Sequence, residues 1–460
     1  MREEAAQAQP PGRRRRVLSW VLLLIGAAGI LFALFGGAPA GQALGVLGLG
    51  AVALFIAVAL LSPRVVPPIA ALVGYPLERL RGVAGRLARE NSIRNPSRTA
   101  VTAASLMIGL ALVTFVSILA AGAKSSIDDT VKNRMKAQLV VVNNDGNFSP
   151  ISEDSARTIA RVPGVAVVSA VKGPEAEVEG ASGKPFGSGV NPRTIDRVWD
   201  TEIDEGPPNL LATLGPGEVA LKKDFADSNS FDVGDTVHMT TPIGDKLDLR
   251  VIGIFEDKGG VLGDFILPNQ VVTRAFALRD DVLQFIAVRP GADVNTVQDR
   301  VARALEARFP VEEVQDQDEF KNSITGRVDQ FLTLIYLLLS LSVIISLFGI
   351  VNTLVLSIHE RTREIGMMRA IGTPRSLVRR VVRYESVITA LIGAALGLTV
   401  GFILGVVTTI ALEDEGFVLS IPWISLIVFG ILAVIAGVLA AIPPARRASR
   451  LNVLDARAYE

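Results

Sequence analysis

Six runs of this 460-residue chain are apolar over about the 20 residues that a helix needs to cross roughly 30 Å of hydrocarbon. They span residues 17–35, 44–61, 99–121, 331–358, 386–412 and 422–442. The fourth and fifth are long enough to tilt or to project beyond a bilayer. None carries Asp, Glu, Lys, Arg or His at hydrocarbon depth, where such residues usually mark ion or proton pathways. That argues against a proton pump, an ion channel or a polar tunnel formed by this chain alone. It suits helices that move as levers, or a cargo that is itself apolar or bypasses them. In the fifth run Gly393, Ala394, Ala395, Gly397, Gly401 and Gly405 recur at close helix-packing spacing. Ordinary packing within the chain accounts for them equally well.

A formal net charge of zero hides a separation of charge. Segments 1–16, 62–98, 357–384 and 443–460 are rich in Arg, whereas the short connections 36–43 and 413–421 contain no basic residue. The second of these connections carries Glu413, Asp414 and Glu415. The positive-inside rule then places both termini in the cytoplasm and the large, predominantly acidic segment 122–329 outside. The expected order is a basic tail (1–16), a pair of spans (17–62), a cytoplasmic connection (63–98) and a third span (99–121). An extracytoplasmic domain (122–329), a three-span membrane domain (330–442) and a cytoplasmic tail (443–460) follow. Arg13–Arg16, the apolar run and Ala38-Pro39-Ala40 resemble a signal peptide in outline. The run is long for a signal core, and cleavage would leave 44–61 entering the membrane from the wrong side. An uncleaved span is the better reading. Cysteine is absent, so the external domain has no disulfide framework and relies on its own core, for which roughly 200 residues suffice.

That external segment reads as mixed α/β. Residues 138–143, 165–171, 283–288 and 311–314 are predicted strands, and 151–162 and 293–309 predicted helices, the first broken by Pro163-Gly164. Two strand–helix–strand units flanking an insertion at 173–281 suggest a split ferredoxin-like layer. The insertion is rich in Gly, Pro and short strands, the best being 231–239, 246–255 and 265–267. Asp232-Val233-Gly234-Asp235 marks a turn beside the first of them. Residues 316–329 are polar and helical, with Phe320, Ile324, Val328 and Phe331 on one face, and are expected to extend the fourth span outward as a stalk. Residues 123–136 are expected to form its counterpart. The fold class is thus an α-helical integral membrane protein with six transmembrane helices and an α/β extracytoplasmic domain.

Catalytic chemistry is not in evidence. No G-x-x-x-x-G-K-[ST] loop occurs; Gly180-Ala181-Ser182-Gly183-Lys184-Pro185 lacks the spacing and the Ser/Thr and reads as a surface turn. Two histidines, His238 and His359, cannot form a His-cluster metal site. The acidic runs 128–129, 200–205 and 316–319 lack calcium-loop spacing and read as solvated faces. No His or Lys stands within a span to activate a nucleophile. A non-catalytic chain with no bound cofactor, no metal and no nucleic-acid partner is expected.

The remaining signal lies between the fourth and fifth spans, in His359-Glu360-Arg361-Thr362-Arg363-Glu364-Ile365-Gly366-Met367-Met368-Arg369-Ala370-Ile371-Gly372-Thr373-Pro374. It reads as a short amphipathic helix over 358–371 in a cytoplasmic loop. Ile365, Met368 and Ile371 form an apolar edge, and Glu360, Arg361, Arg363, Glu364 and Arg369 carry charge around the rest. Gly372 suits the left-handed helix end, and Thr373-Pro374 opens the next helix.

This run resembles the E-R-x-R-E-I-G-x-x-R-A-I-G signature of FtsX-like permeases, the MacB/LolC/FtsX group of ABC transporters. Residues 91–98 are similar to the N-x-x-R-N-x-x-R approach to that family's first core span, and 443–451 to its exit. The external layout resembles a MacB-like periplasmic core domain. The resemblance covers the chain from about Glu90 onward. It implies a permease subunit that couples ATP hydrolysis by a separate cytoplasmic ABC ATPase to movement of the external domain, for export or extraction of an apolar, lipid-linked or peptide cargo. ATP is then used only through the partner. The implied ATPase contacts on the coupling helix are Glu360, Arg361, Arg363, Glu364, Ile365, Gly366, Met368 and Arg369. The family core has four spans, and the extra pair before it resembles the second half of a long two-core permease. A second permease core, as a homodimer or a first-half partner, is therefore expected besides membrane lipids. The alternative is a signalling protein that controls an external partner, such as a cell-wall hydrolase, without transport.

The charge pattern makes a direct prediction on a chain without native Cys. Cysteines at Gln42, Ser182 and Glu415 should label from outside intact cells, and those at Ser376 and Ser449 only after permeabilisation. External labelling at Ser376 would overturn the topology.

Overall fold

The computed structural model describes residues 13–35, 40–94, 96–145, 149–181, 183–257, 259–413 and 416–449. The chain divides into two compact units: Met1–Gly122 with Phe331–Ala411 and Leu419–Glu460, and Ala123–Gln330 with Leu412–Val418. The described residues include six helices long and apolar enough to cross a membrane. These belong to helices α1 (Arg13–Phe35), α2 (Ala40–Arg81), α4 (Pro96–Arg134), α10 (Gln317–Glu360), α12 (Arg375–Ala411) and α13 (Trp423–Ser449), with α3 (Val83–Arg94) between the second and third. The protein is an α-helical membrane protein with an α/β extracytoplasmic domain.

In the membrane unit small residues bring backbones together. Along α12, a Cβ added to Gly393 would lie 2.8 Å from the Ala103 carbonyl oxygen, and one added to Gly397 2.7 Å from that of Met107. Gly401 meets Ala111 and Thr114 in the same way, and Gly405 meets Ile118. Four glycines at a spacing of four thus lie along α4, with the two helices running parallel. The sequence left open whether this stripe served a special role; its role is the α4–α12 seam. Helix α10 runs antiparallel to α4, with the Ser346 hydroxyl donating to the Ser105 carbonyl at 3.0 Å and Tyr336 2.7 Å from Ser117. Helix α13 runs back along α12, where the Ser386 hydroxyl donates to the Gly437 carbonyl at 2.7 Å.

Residues 62–81 differ from the sequence reading. They continue α2 as helix although Pro63, Pro67, Pro68 and Pro76 lie inside it. The arginines of this stretch are why a cytoplasmic connection was expected there; each proline removes an N–H and crowds the preceding turn. Burial outweighs that cost: Val66 and Ala70 pack with Ala88, Ala100, Ala103, Ile388 and Ile392. At Gly82, with φ +59°, the chain turns back. Helix α3 then lies along the end of α2, with Arg89 2.5 Å from Glu78.

In the outer unit β1 (Leu139–Asn143), α5 (Glu153–Ile159) and β2 (Val165–Val171) are followed by the insertion. The insertion holds β3 (Glu177–Val178), β4 (Gly187–Val190), β5 (Glu202–Glu205), α6 (Leu210–Thr213), β6 (Glu218–Lys222) and α7 (Lys223–Asn229). It continues with β7 (Thr236–Thr240), β8 (Lys246–Glu256), β9 (Phe265–Pro268) and α8 (Asn269–Ala275). Then β10 (Leu283–Val288), α9 (Val294–Glu306) and β11 (Glu312–Asp316) complete the flanking layer. Its sheet has the order β11-β1-β10-β2, antiparallel throughout, as a split ferredoxin-like layer requires. The inserted strands make a separate seven-stranded sheet. The strand expected at 231–239 begins only at Thr236, because Gly234 takes φ +105° and the Asp235 carboxylate accepts from the Asp232 amide, closing the turn. Where the insertion leaves and returns, buried Lys172 stands 2.9 Å from buried Asp281, whose other oxygen accepts from Gln284 at 2.9 Å. Desolvation pushes the Asp281 carboxyl above its ordinary range, against the opposing pull of Lys172.

The glycine seam predicts a steric threshold. Gly401→Val should lower the melting temperature of the detergent-solubilised protein, because overpacking of this kind costs about 1–3 kcal/mol. Gly45→Val, where an added Cβ meets no atom within 4 Å, serves as the control. Equal melting of the two variants would exclude the seam as a determinant of packing.

Candidate functional site

The loop between the fourth and fifth spans is built from three pieces. Helix α10 ends at Glu360, and α11 runs Thr362–Ala370 with only Arg361, at φ −101° and ψ 16°, between them. His359 and Glu360 therefore belong to the preceding helix rather than to the short one, whose expected start at 358 moves to 362. Helix α11 ends as the sequence suggests. Gly372 takes φ +95°, its amide donates to Arg369, and the Thr373 amide donates to Met368 at 3.0 Å. This 6→1 and 5→2 pair satisfies the last carbonyls. Helix α12 then starts at Arg375, with the Pro374 carbonyl accepting from Leu377.

The apolar edge is divided between two faces. Ile365, at 4% exposure, packs with Ile358, Val378, Val382, Ala445 and Ala448, and Met368 lies against the same cluster. Gly366 is buried as well. These three, expected at a partner surface, instead hold α11 onto the chain's own helices. Met367 and Ile371 point outward, 64% and 86% exposed, beside an exposed Glu364. A helix of 3.6 residues per turn sets Ile365 and Met368 on one side, and Met367 and Ile371 on another. Sequence periodicity alone does not tell which side meets its own chain.

The charged residues are engaged in a clamp. Arg361 lies 2.9 Å from Glu364 and 3.5 Å from Glu385 of α12. Glu360 pairs with Arg98 of α4, and Arg98 also donates to the Ser357 hydroxyl at 2.6 Å. The Asn91 side chain of α3 also hydrogen-bonds Glu385. Segment 91–98 and the loop, read apart in the sequence, are thus one polar assembly that joins α3, α4, α10, α11 and α12. Sequence reasoning missed Glu385. The signal was a lone carboxylate one residue before the fifth apolar run, where counting hydrophobic residues stops. The arrangement holds no nucleophile–base pair, and its chemistry is positional: it fixes the angle at which α11 leaves α10.

Two family models match the chain. The FtsX-like permease C-terminal domain matches residues 336–453, and the MacB-like periplasmic core domain matches 99–304. Two stretches of the chain thus resemble an FtsX-like permease C-terminal domain and a MacB-like periplasmic core domain. The macrolide export ATP-binding/permease protein MacB of Rhodopirellula baltica is 26% identical over 429 residues, covering 80% of this chain and 61% of that protein. A probable export ATP-binding/permease protein of Pseudomonas fluorescens is 31% identical over 182 residues, covering 38% of this chain and 27% of that protein. The chain therefore spans at most about three fifths of the length of these relatives. A crystal structure of the extracellular domain of the noncanonic ABC-type transporter YknZ from Gram-positive bacteria is 15% identical. It covers 39% of this chain and 99% of that one, with a TM-score of 0.30.

The clamp predicts a non-additive pair. Arg361→Met removes the facing cation from the half-buried Glu385 and should destabilise the detergent-solubilised chain by about 1–3 kcal/mol, whereas adding Glu385→Leu should recover most of that loss. Additive effects in a thermal-melting double-mutant cycle would show that the two groups are not coupled.

Proposed function

We propose that this chain is the permease subunit of an FtsX/MacB-type ABC system, in which a separate cytoplasmic ATPase docks on α11. One observation carries this reading: a nine-residue helix is pinned by Ile365 on one face and leaves Met367 and Glu364, with Ile371 just past its end, exposed on the other. Exposed apolar anchors beside charge are what a docking helix needs, since the anchors supply affinity and the charges set register. The contact set proposed from the sequence is revised accordingly. Met367 and Ile371 are the anchors and Glu364 and Arg369 their charged neighbours, with Arg363 in the same run. Glu360 and Arg361 hold the helix at the correct angle, and Ile365, Gly366 and Met368 form its seat.

ATP enters only through the partner, and this chain binds no nucleotide. The termini and α11 are cytoplasmic and the α/β unit is outside. Both α4 (Pro96–Arg134) and α10 (Gln317–Glu360) are gripped by the clamp and contribute residues to both units, which makes them the proposed route for motion. Lipid and a second permease core cover the apolar outer faces of the spans. An apolar, lipid-linked or peptide cargo suits spans without ionisable groups at hydrocarbon depth. Relatives named for macrolide and pyoverdine export are compatible with such a cargo class.

Ile371→Asp or Met367→Asp should abolish co-purification with the ATPase and stimulated hydrolysis, while leaving the melting temperature unchanged. Ile365→Ala should lower the melting temperature by the equivalent of about 2–5 kcal/mol, because it empties a core position. The purified chain alone should hydrolyse no ATP. If Ile371→Asp keeps full pull-down and stimulated activity, α11 is not the docking element.

A further inference from the structure

In the outer unit a groove of about 520 Å³ lies between α5 and α9, within the roughly 300–1,000 Å³ usual for small-molecule sites. The two helices run antiparallel. Arg308 reaches Asp154 at one end, and Arg300 donates to the Pro163 carbonyl at the other. Beneath them Ile159, Val297, Val301 and Leu305 are buried in the core of the split ferredoxin-like layer, so packing fixes the backbone that lines the groove. Short Ala304 leaves the space open, and Arg161, Arg300 and Arg303, all exposed, surround it.

Charge sets this groove apart. The segment that holds it is predominantly acidic, yet among the described residues no carboxylate lines the groove. Neighbouring arginines are matched, Arg157 to Glu153 and Asp154 and Arg308 to Asp154. Arg161, Arg300 and Arg303 have no ion pair among the described residues. Arg300 spends one N–H on the Pro163 carbonyl at 3.2 Å, and Arg303 spends its Nε on the Asp299 carbonyl at 3.1 Å. These bonds orient the two guanidinium groups and leave most of their five N–H donors unused. Arg161 and Arg303 stand at helix ends, where a cation is favoured. Arg300 lies within α9 and has no such reason for its place. It is three residues from Arg303, a spacing at which like charges are neighbours and repel.

We propose that this groove binds an oxyanion of the phosphate class, a phosphate monoester or diester. The planar fork of an arginine grips phosphate oxygens two at a time, and forks from both helices suit a group whose oxygens point in several directions. Such an anion removes the repulsion between Arg300 and Arg303. An acidic protein segment would need apolar anchors besides charge, and Val162, Pro163 and Ala304 form no deep apolar pocket. A soluble phosphorylated molecule and an anionic phospholipid headgroup offer the same chemistry. The inference concerns the α/β unit alone and is independent of how α11 is used.

The test uses the full chain in phosphatidylcholine nanodiscs, with pyrophosphate as the probe and isothermal titration calorimetry at low salt, where charge contacts are least screened. One saturable site is expected. Arg300→Gln with Arg303→Gln should weaken it about tenfold or more. Arg300→Lys with Arg303→Lys, which keeps the charge without the fork, should fall between that variant and the native chain. Arg193→Gln with Arg274→Gln removes two exposed arginines elsewhere in the same unit and should leave the affinity unchanged. All three variants should melt with the native chain in the absence of the probe, because every altered residue is exposed. Discs with phosphatidylglycerol, compared with discs in which oleate supplies the charge, separate the sources. A loss of pyrophosphate affinity only with phosphatidylglycerol marks a lipid headgroup as the ligand, and equal affinity marks a soluble phosphate. Absence of saturable binding, or an equal loss in the Arg193–Arg274 control, would overturn the site. Tighter binding of a glutamate-rich peptide than of pyrophosphate would overturn it too, by assigning the groove to an acidic protein segment.

Discussion

Direct backbone contact between α4 and α12 is the constraint on which the rest of the membrane unit depends. Association in lipid gains nothing from hiding apolar side chains, because lipid is equally apolar. What remains is dispersion, and dispersion falls off steeply with distance. Four glycines along α12 let its backbone reach Ala103, Met107 and Ala111, where any side chain would hold it away. The contact also sets register. A slip of one residue would turn every glycine off the seam, so the height of α12 relative to α4 has one favourable value. Arg98 near the start of α4 and Glu385 in the third turn of α12 are thereby brought to one level.

The clamp exploits that register. A carboxylate withdrawn from water is costly unless its partners are already in place, and Glu385 finds Arg361 at the junction of α10 and α11 and Asn91 on α3. Arginine suits both cationic positions. The planar fork of Arg98 addresses the Ser357 hydroxyl and the Glu360 carboxylate together, which a lysine ammonium, as a point charge, could not do with the same geometry. Arg361 likewise shares itself between Glu364 on its own turn and Glu385 across the bundle. It also occupies the single non-helical position between α10 and α11, so the residue that breaks the helix is the one that is anchored. A kink fixed by ion pairs is specific in angle where a glycine hinge would be loose.

Long-range features of this kind separate what the sequence revealed from what it hid. Apolar runs are legible because crossing a membrane requires length and composition, both local properties; all six reappear as helices. The outer layer was legible for a similar reason. Its strands are short, bounded by Pro-Gly or Asp-rich turns, and capped in recognisable ways, with Asp293 accepting from Thr296 at 2.8 Å to start α9. The continuation of α2 through four prolines was not legible, because the burial of Val66 and Ala70 that stabilises it comes from residues far away in sequence. Glu385 was invisible as a site residue until α12 was set beside α11. The division of α11 into a buried and an exposed apolar face was hidden most completely. Ile365, Met367, Met368 and Ile371 are all apolar, and only tertiary structure distinguishes a side chain facing its own chain from one facing outward.

That division also explains why an amphipathic pattern misleads at α11. In a surface helix of a soluble domain the apolar stripe faces inward and the charged face is free. Helix α11 has two apolar faces and a charged side that is partly consumed by the clamp. An inward stripe of Ile365 and Met368 alone would leave a helix that is merely attached. An outward pair alone would leave one that is docked to nothing behind it. Force applied at Met367 or Ile371 can reach α10 and α12 only because Ile365 is packed and Arg361 is paired. In the proposed coupling role, stiffness at the seat, rather than affinity at the surface, is then the property that decides whether movement of α11 is passed on or absorbed.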